Sequence, residues 1–156
     1  MDEVHLIHRD DVGMIELVLA GTYVPPGLPA KVDVSYDYWY LRLNGLIVRN
    51  QVFSEKFHFL QRPNLLILNA WDSREPTVEA VVDSIRESRV RLLAYDIEKD
   101  RYGLVSRSTT GPMIPVSASE NAIAYKKVIS GVQVEYEINR SRISWLLVQK
   151  APRGFL

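Results

Sequence analysis

Apolar and polar residues alternate along much of this chain with the period of two that belongs to β-strands. The cleanest stretch lies late in the sequence. There Val132, Val134, Tyr136 and Ile138 interleave with Gln133, Glu135 and Glu137, the pattern of a half-buried strand. Asn139 to Arg142 reads as its turn, Ile143 to Gln149 as the return arm, and residues 151–156 as a loose tail. Gly13 to Tyr23 is rich in β-branched and apolar residues and reads as a strand. It ends at Val24-Pro25-Pro26-Gly27-Leu28-Pro29, because proline cannot donate to a ladder. Leu65 to Leu68 is a continuous apolar run, which suits a strand covered on both faces. Val90 to Tyr95 and Tyr102 to Arg107 read as a hairpin around Glu98 to Arg101, and Ser106 to Gly111 as a polar loop.

The period changes to that of a helix once. Val78, Val81, Val82 and Ile85 fall on one stripe, Asp72 and Glu75 have capping-box spacing, and Pro76 is tolerated in a first turn. A helix is predicted from about Pro76 to Glu87, with Glu75 and Glu79 early and Arg86 and Arg89 late, as its dipole prefers. Ser117 and Glu120 repeat the capping-box spacing and predict a second, short helix through Ala122 to Val128. Together the elements predict a mainly β fold. It is an antiparallel sheet, sandwich or barrel, built from hairpins with one or two short helices, in a single domain over residues 1–150.

The clearest hairpin joins Lys31 to Leu43 with Leu46 to Leu60 through Asn44-Gly45, a dipeptide that accepts positive φ at both positions of a type I′ turn. Carrying a tight register down the arms pairs Leu43 with Leu46, Leu41 with Val48, Trp39 with Asn50, Asp37 with Val52 and Asp33 with Lys56 on one face. The other face pairs Arg42 with Ile47, Tyr40 with Arg49, Tyr38 with Gln51, Tyr36 with Phe53 and Val32 with Phe57. With Leu41, Leu43, Leu46, Val48 and Trp39 as the core face, Tyr36, Tyr38, Tyr40, Arg42 and Arg49 stand together opposite. Tyrosine and arginine are enriched at binding hot spots, so this row is the candidate binding surface. The competing expectation is that the row lines a barrel or lies under the helix.

Composition narrows the field. At 156 residues, 47% hydrophobic and 24% charged, the chain suits one globular domain with a real core. Lys plus Arg and Asp plus Glu number 19 each, so no overall field steers the protein to nucleic acid or an anionic membrane. A net charge near zero also weakens repulsion between copies, which favours self-association. The absence of cysteine removes disulfides, thiolate nucleophiles and Cys-ligated zinc. Met1-Asp2-Glu3-Val4-His5 lacks the basic, apolar opening of a secretory signal, and no apolar stretch approaches the roughly 18 residues of a membrane span. The expectation is a cytoplasmic protein, bacterial or viral, that is not secreted.

Candidate chemistry is sparse. On a strand His5 and His8 point to opposite faces, while His8 and Asp10 share one and supply two ligands at most, so no metal and no cofactor is expected. His58, between Phe57 and Phe59, reads as a strand histidine. No nucleophile elbow, Ser-x-x-Lys or phosphate-cradling glycine motif occurs. Asp33 and Asp37 share a strand face as a glycosidase pair would, but Lys56 opposite Asp33 makes a cross-strand ion pair the simpler reading. Pro26 to Lys31 has PxxP spacing and reads as a rigid loop, and Asn139-Arg140-Ser141 matches a glycosylation sequon. The leading expectation is therefore a non-enzymatic module of the immunity, adaptor or viral structural kind, binding a protein partner or copies of itself. Alternatives are a β-barrel carrier of a small ligand, single-stranded nucleic-acid binding through the Tyr/Arg face, and a hydrolase.

Overall fold

The computed structural model describes residues 3–10, 13–31, 34–60, 64–73, 75 and 77–147, with backbone alone at 49, 50, 59 and 60. The fold is mainly β and antiparallel throughout. An eight-stranded sheet takes the order β1 (Val4–Arg9), β2 (Met14–Tyr23), β3 (Tyr36–Leu43), β4 (Leu46–Leu60), β5 (Leu65–Trp71), β6 (Val90–Asp96), β7 (Arg101–Ser108), β11 (Leu146–Leu147). A three-stranded sheet takes the order β10 (Val132–Asn139), β9 (Ala122–Ile129), β8 (Ile114–Ala118). One helix, α1 (Val78–Arg86), and a 3-10 turn at Arg140–Arg142 complete the described elements.

Two cores form because the large sheet is apolar on both faces. Every residue of β5 and β6 is buried, as the continuous run Leu65 to Leu68 predicts. On one face Leu65, Ile67, Val90, Leu92 and Ala94 meet Val81 and Ile85 of α1 and Ile123 and Tyr125 of β9, the packing of a sandwich. On the other face Leu17, Trp39, Leu41, Phe53, Leu66, Leu68 and Leu93 form a second core drawn from the large sheet alone. Among the described residues it is the sheet's own curl that covers that face. The strand order runs from β1 to β11 without joining the two ends, so the barrel is not closed.

Bulges generate the curl. At Asn44-Gly45 the backbone has φ of 51° and 80°, and Leu43 faces Leu46, Arg42 faces Ile47 and Leu41 faces Val48, the tight register expected. Trp39 then faces Phe53, not Asn50, because five residue steps of β4 cover two of β3. A second irregularity in β4 lies between Phe53 and Phe57, opposite Ala70 and Leu68 of β5. Extra residues on one strand bend it and increase its twist. The expected pairs beyond Val48 are thereby replaced, while Val32 and Asp33 lie outside the described residues. We expect Gly45→Val to destabilise the domain by about 1–3 kcal/mol in denaturant melts, the scale of strain at a positive φ. An unchanged midpoint would mean that the turn tolerates a side chain.

Three elements differ from expectation. The helix spans Val78–Arg86, starting two residues after the expected Pro76, with Thr77 rather than Asp72 at its cap: Thr77 Oγ1 accepts from Ala80 N at 3.2 Å. Val81 and Ile85 are buried as expected, but Val78 is exposed, and Pro76 lies outside the described residues. Ala122 to Ile129 is strand β9, not a helix. Ser117, the expected cap, lies in β8, and Ser119 Oγ accepts from Asn121 N at 3.2 Å and Ala122 N at 3.1 Å, closing a tight turn. Finally, β10 folds back on β9 through Ser130-Gly131, with φ of 51° and 78°, and does not pair with the segment after it. That segment buries Ile143 and crosses to the large sheet, where Leu146 pairs with Tyr102 and Leu147 with Arg101. The tail at 151–156 lies outside the described residues.

Candidate functional site

The five residues of the expected Tyr/Arg surface do not form one free strip. Tyr38 is 9% exposed and belongs to the core shared with α1 and β9. Its ring lies over Gly21 of β2, where an added Cβ would strike it. Tyr40 is half-buried against the same core. Tyr36, at the end of β3, is 40% exposed and meets Trp71 edge to face at 6.3 Å. The Arg49 side chain lies outside the described residues. The physical reason is that β3 is apolar on both faces: Trp39, Leu41 and Leu43 enter the inner core while Tyr38 and Tyr40 pack under the smaller sheet and helix.

Arg42 is held to Glu16, its cross-strand neighbour, by two parallel bonds of 2.8 Å from Nε and one terminal nitrogen. This bidentate bond, with the Arg42 charge behind it, outweighs burial and holds the Glu16 carboxyl below its ordinary value of 4.5. A carboxylate stabilised this way contributes stability that is complete above about pH 4.5 and is lost as the pH falls through the lower folded value. Between pH 6 and 3 the wild-type melting temperature should therefore fall more steeply than that of Glu16→Gln. Parallel pH curves would show the pair to be neutral for folding.

The other candidates occupy separate places. His8 Nε2 and Asp10 Oδ2 lie 3.0 Å apart, the shared face expected of them, and His5 stands edge to face against Trp39 at 4.6 Å. Asp37 accepts from Thr22 Oγ1 at 2.7 Å, and Asp33 lies outside the described residues. Among the described residues no three His, Asp or Glu gather as metal ligands, and no helix is long and apolar enough to cross a membrane. The apolar cavity bounded by Leu41, Phe53, Leu68, Leu93 and Tyr102 measures about 20 Å³, room for one water at most. An open polar cleft forms where the two sheets meet. In it Asp96 accepts from Arg101 at 3.2 Å and forms an ion pair with Arg140 at 3.6 Å, and both guanidinium groups lie over the Trp145 ring, at 4.5 and 5.7 Å. Each of these groups is engaged by the others, so the cluster serves as a staple between the sheets.

The surface that stands out is the β9–β10 hairpin. Every residue from Val132 to Glu137 is exposed, on both faces of the strand. This corrects the expected half-burial, which holds only for Ile138, packed against the core. One face carries Val132, Val134 and Tyr136, exposed by 62%, 36% and 36%, beside Ile129, exposed by 41%. Val132 is paired with Ile129, Val134 with Lys127 and Tyr136 with Tyr125, so these side chains form one contiguous patch. Tyr136 stacks on Tyr125 with ring centres 5.7 Å apart, and the Lys127 ammonium sits 5.2 Å from the Tyr136 ring centre. Lys127 Nζ also donates to the carbonyl of Arg107 at 2.8 Å, which ties the hairpin to the large sheet and leaves its tip projecting. The opposite face carries Gln133, Glu135 and Glu137, across from Val128, Lys126 and Ala124. The alternation of this strand is plain in the sequence. Its place at a sheet edge is not, because that depends on which strands pair. No protein-family model, curated protein or solved structure matches the chain.

Proposed function

We propose that the chain is a non-enzymatic protein-binding module whose contact surface is the free β9–β10 hairpin. The observation that carries this reading is the apolar patch of Val132, Val134 and Tyr136 on edge strand β10, with Ile129 of β9 beside it. Apolar groups gathered on a projecting element lose nothing by being covered and gain the hydrophobic term when they are. The Tyr/Arg row enters this reading only through Tyr36, whose ring is accessible at the far end of β3.

The competing functions draw less from the geometry. The apolar cavity within the curl of the large sheet, about 20 Å³, is small for an apolar ligand, and the larger cleft of about 510 Å³ is open and polar. Nucleic acid would meet two carboxylates, Glu135 and Glu137, on the hairpin that is most open to it. The cysteine-free sequence suits a reducing compartment, and we place the module in the cell interior.

A photo-crosslinker at position 132 tests the reading in the cell that makes the protein. It should give a discrete adduct, and a crosslinker at exposed Glu79 of α1 should not. Val134→Ser with Tyr136→Ser should abolish the adduct while the domain stays folded, at a cost of about 1–3 kcal/mol because Tyr136 gives up its stack on Tyr125. An adduct unaffected by the double variant, or none at all, removes the hairpin as the contact surface.

A further inference from the structure

We infer that β10 takes its partner by strand addition, and that the partner is an extended segment of another protein in which apolar residues alternate with lysine or arginine. The inference rests on the proposed hairpin surface and adds the mode and chemistry of recognition. Three observations lead to it.

First, β10 is the edge of its sheet. In an antiparallel ladder every second residue directs its N–H and C=O to the same neighbour, so half of the β10 backbone groups point away from β9. Among the described residues no strand meets them. Second, among the described residues this edge has no proline, bulge or covering element, and its only charged side chains are Glu135 and Glu137. Natural edges are blunted by proline, lysine, bulges or a covering element. Residues Val132 to Asn139 hold no proline or lysine, and all eight pair with β9 without a register shift. The opposite edge of the same sheet, β8, does carry Pro115 and a register irregularity beside it. One edge is therefore blocked and the other is left regular.

Third, the charge on the open edge selects its occupant. Glu135 and Glu137 share one face of β10, and the strand carries no cation. A second copy pairing edge to edge would bring four carboxylates, two from each chain, onto one side of a single seam, where like charges oppose pairing. A strand with basic residues on that side and apolar residues on the other satisfies both faces at once: cations meet Glu135 and Glu137, and apolar side chains extend the patch of Val132, Val134 and Tyr136. Main-chain bonds then supply affinity and the alternating side chains supply selectivity.

The test uses the whole protein and two synthetic peptides, one alternating lysine with valine and one alternating glutamate with valine. Affinity is read by fluorescence anisotropy, and hydrogen exchange is followed residue by residue. The lysine peptide should bind, the glutamate peptide should not, and every second amide of β10 should slow its exchange on binding. Glu135→Gln with Glu137→Gln should weaken the lysine peptide roughly tenfold without creating affinity for the other. Glu135→Lys with Glu137→Lys should reverse the preference. The inference is overturned if both peptides bind alike, if neither slows the β10 amides, or if the protein alone is a dimer at neutral pH that the lysine variant disrupts. Loss of the peptide result with the position-132 adduct intact leaves the binding module standing and removes strand addition. Peptide binding without the adduct has the opposite meaning.

Discussion

Tyr38→Ala should unfold the domain nearly as readily as Trp39→Ala, although the two side chains point to opposite faces of one strand. Removing a buried large aromatic costs about 3–5 kcal/mol. Trp39 is 1% exposed in the core formed by the large sheet alone, and Tyr38 is 9% exposed in the core beneath the smaller sheet and α1. A strand on a half-solvated sheet would lose stability at one of the two positions and tolerate the other. Urea melts of the two variants decide the matter. Comparable midpoint losses are expected, and a Tyr38→Ala midpoint close to wild type would restore the tyrosine row as an exposed surface.

Asp72→Ala should cost about 3 kcal/mol, the scale seen when one member of a buried ion pair is removed. The Arg91 side chain is almost wholly buried, with its Nε 3.3 Å from Asp72 Oδ1 and a terminal nitrogen bonded to Gln51 Oε1. Burial pulls the Arg91 guanidinium below its usual range, and the Asp72 charge opposes that shift. Without Asp72 the buried cation loses the carboxylate charge that offsets its burial. Gln51 cannot compensate by turning, because its amide nitrogen already donates to the carbonyls of Val52 at 3.1 Å and Trp71 at 2.9 Å. Replacing both charges, as in Asp72→Leu with Arg91→Met, should recover most of the loss, since an apolar pair of similar volume removes the desolvation penalty. A double variant no more stable than Asp72→Ala would show that the hydrogen bond to Gln51, not the charge pair, is what matters.

The same polar network explains why the hairpin face was only partly legible in the sequence. Asn44-Gly45 announces its turn through local backbone preference, and the first three pairs follow from it. The shift at Trp39 has no local signal. Gln51 is anchored in the bulged part of β4 by Trp71, and Arg91 joins it from a strand 40 residues away. Which face of β3 is covered likewise depends on residues far along the chain, Ile123 and Tyr125 among them. By contrast, β5 and α1 are readable from continuous or helical apolar patterns because burial there is dictated within the segment. Ser130-Gly131 is a dipeptide that suits a turn, but the capping-box spacing of Ser117 and Glu120 predicts a helix next to it, and no turn is assigned there from the sequence. The candidate surface was thus visible as an alternating strand and invisible as an edge.

The order of strands in the large sheet has a consequence for how the chain reaches this state. From β1 to β7 each strand pairs with the next one in sequence, and β8, β9 and β10 do the same in the smaller sheet. Most such neighbours can zip together across short loops, which keeps the entropy of chain closure small at most steps; the longer connections are those from β2 to β3 and, through α1, from β5 to β6. Only the joining of Leu146 to Tyr102 must wait for a long excursion, because the entire smaller sheet lies between them in the chain. That pairing is the natural last event of folding and the natural first event of local opening, while the hairpins on either side of it hold.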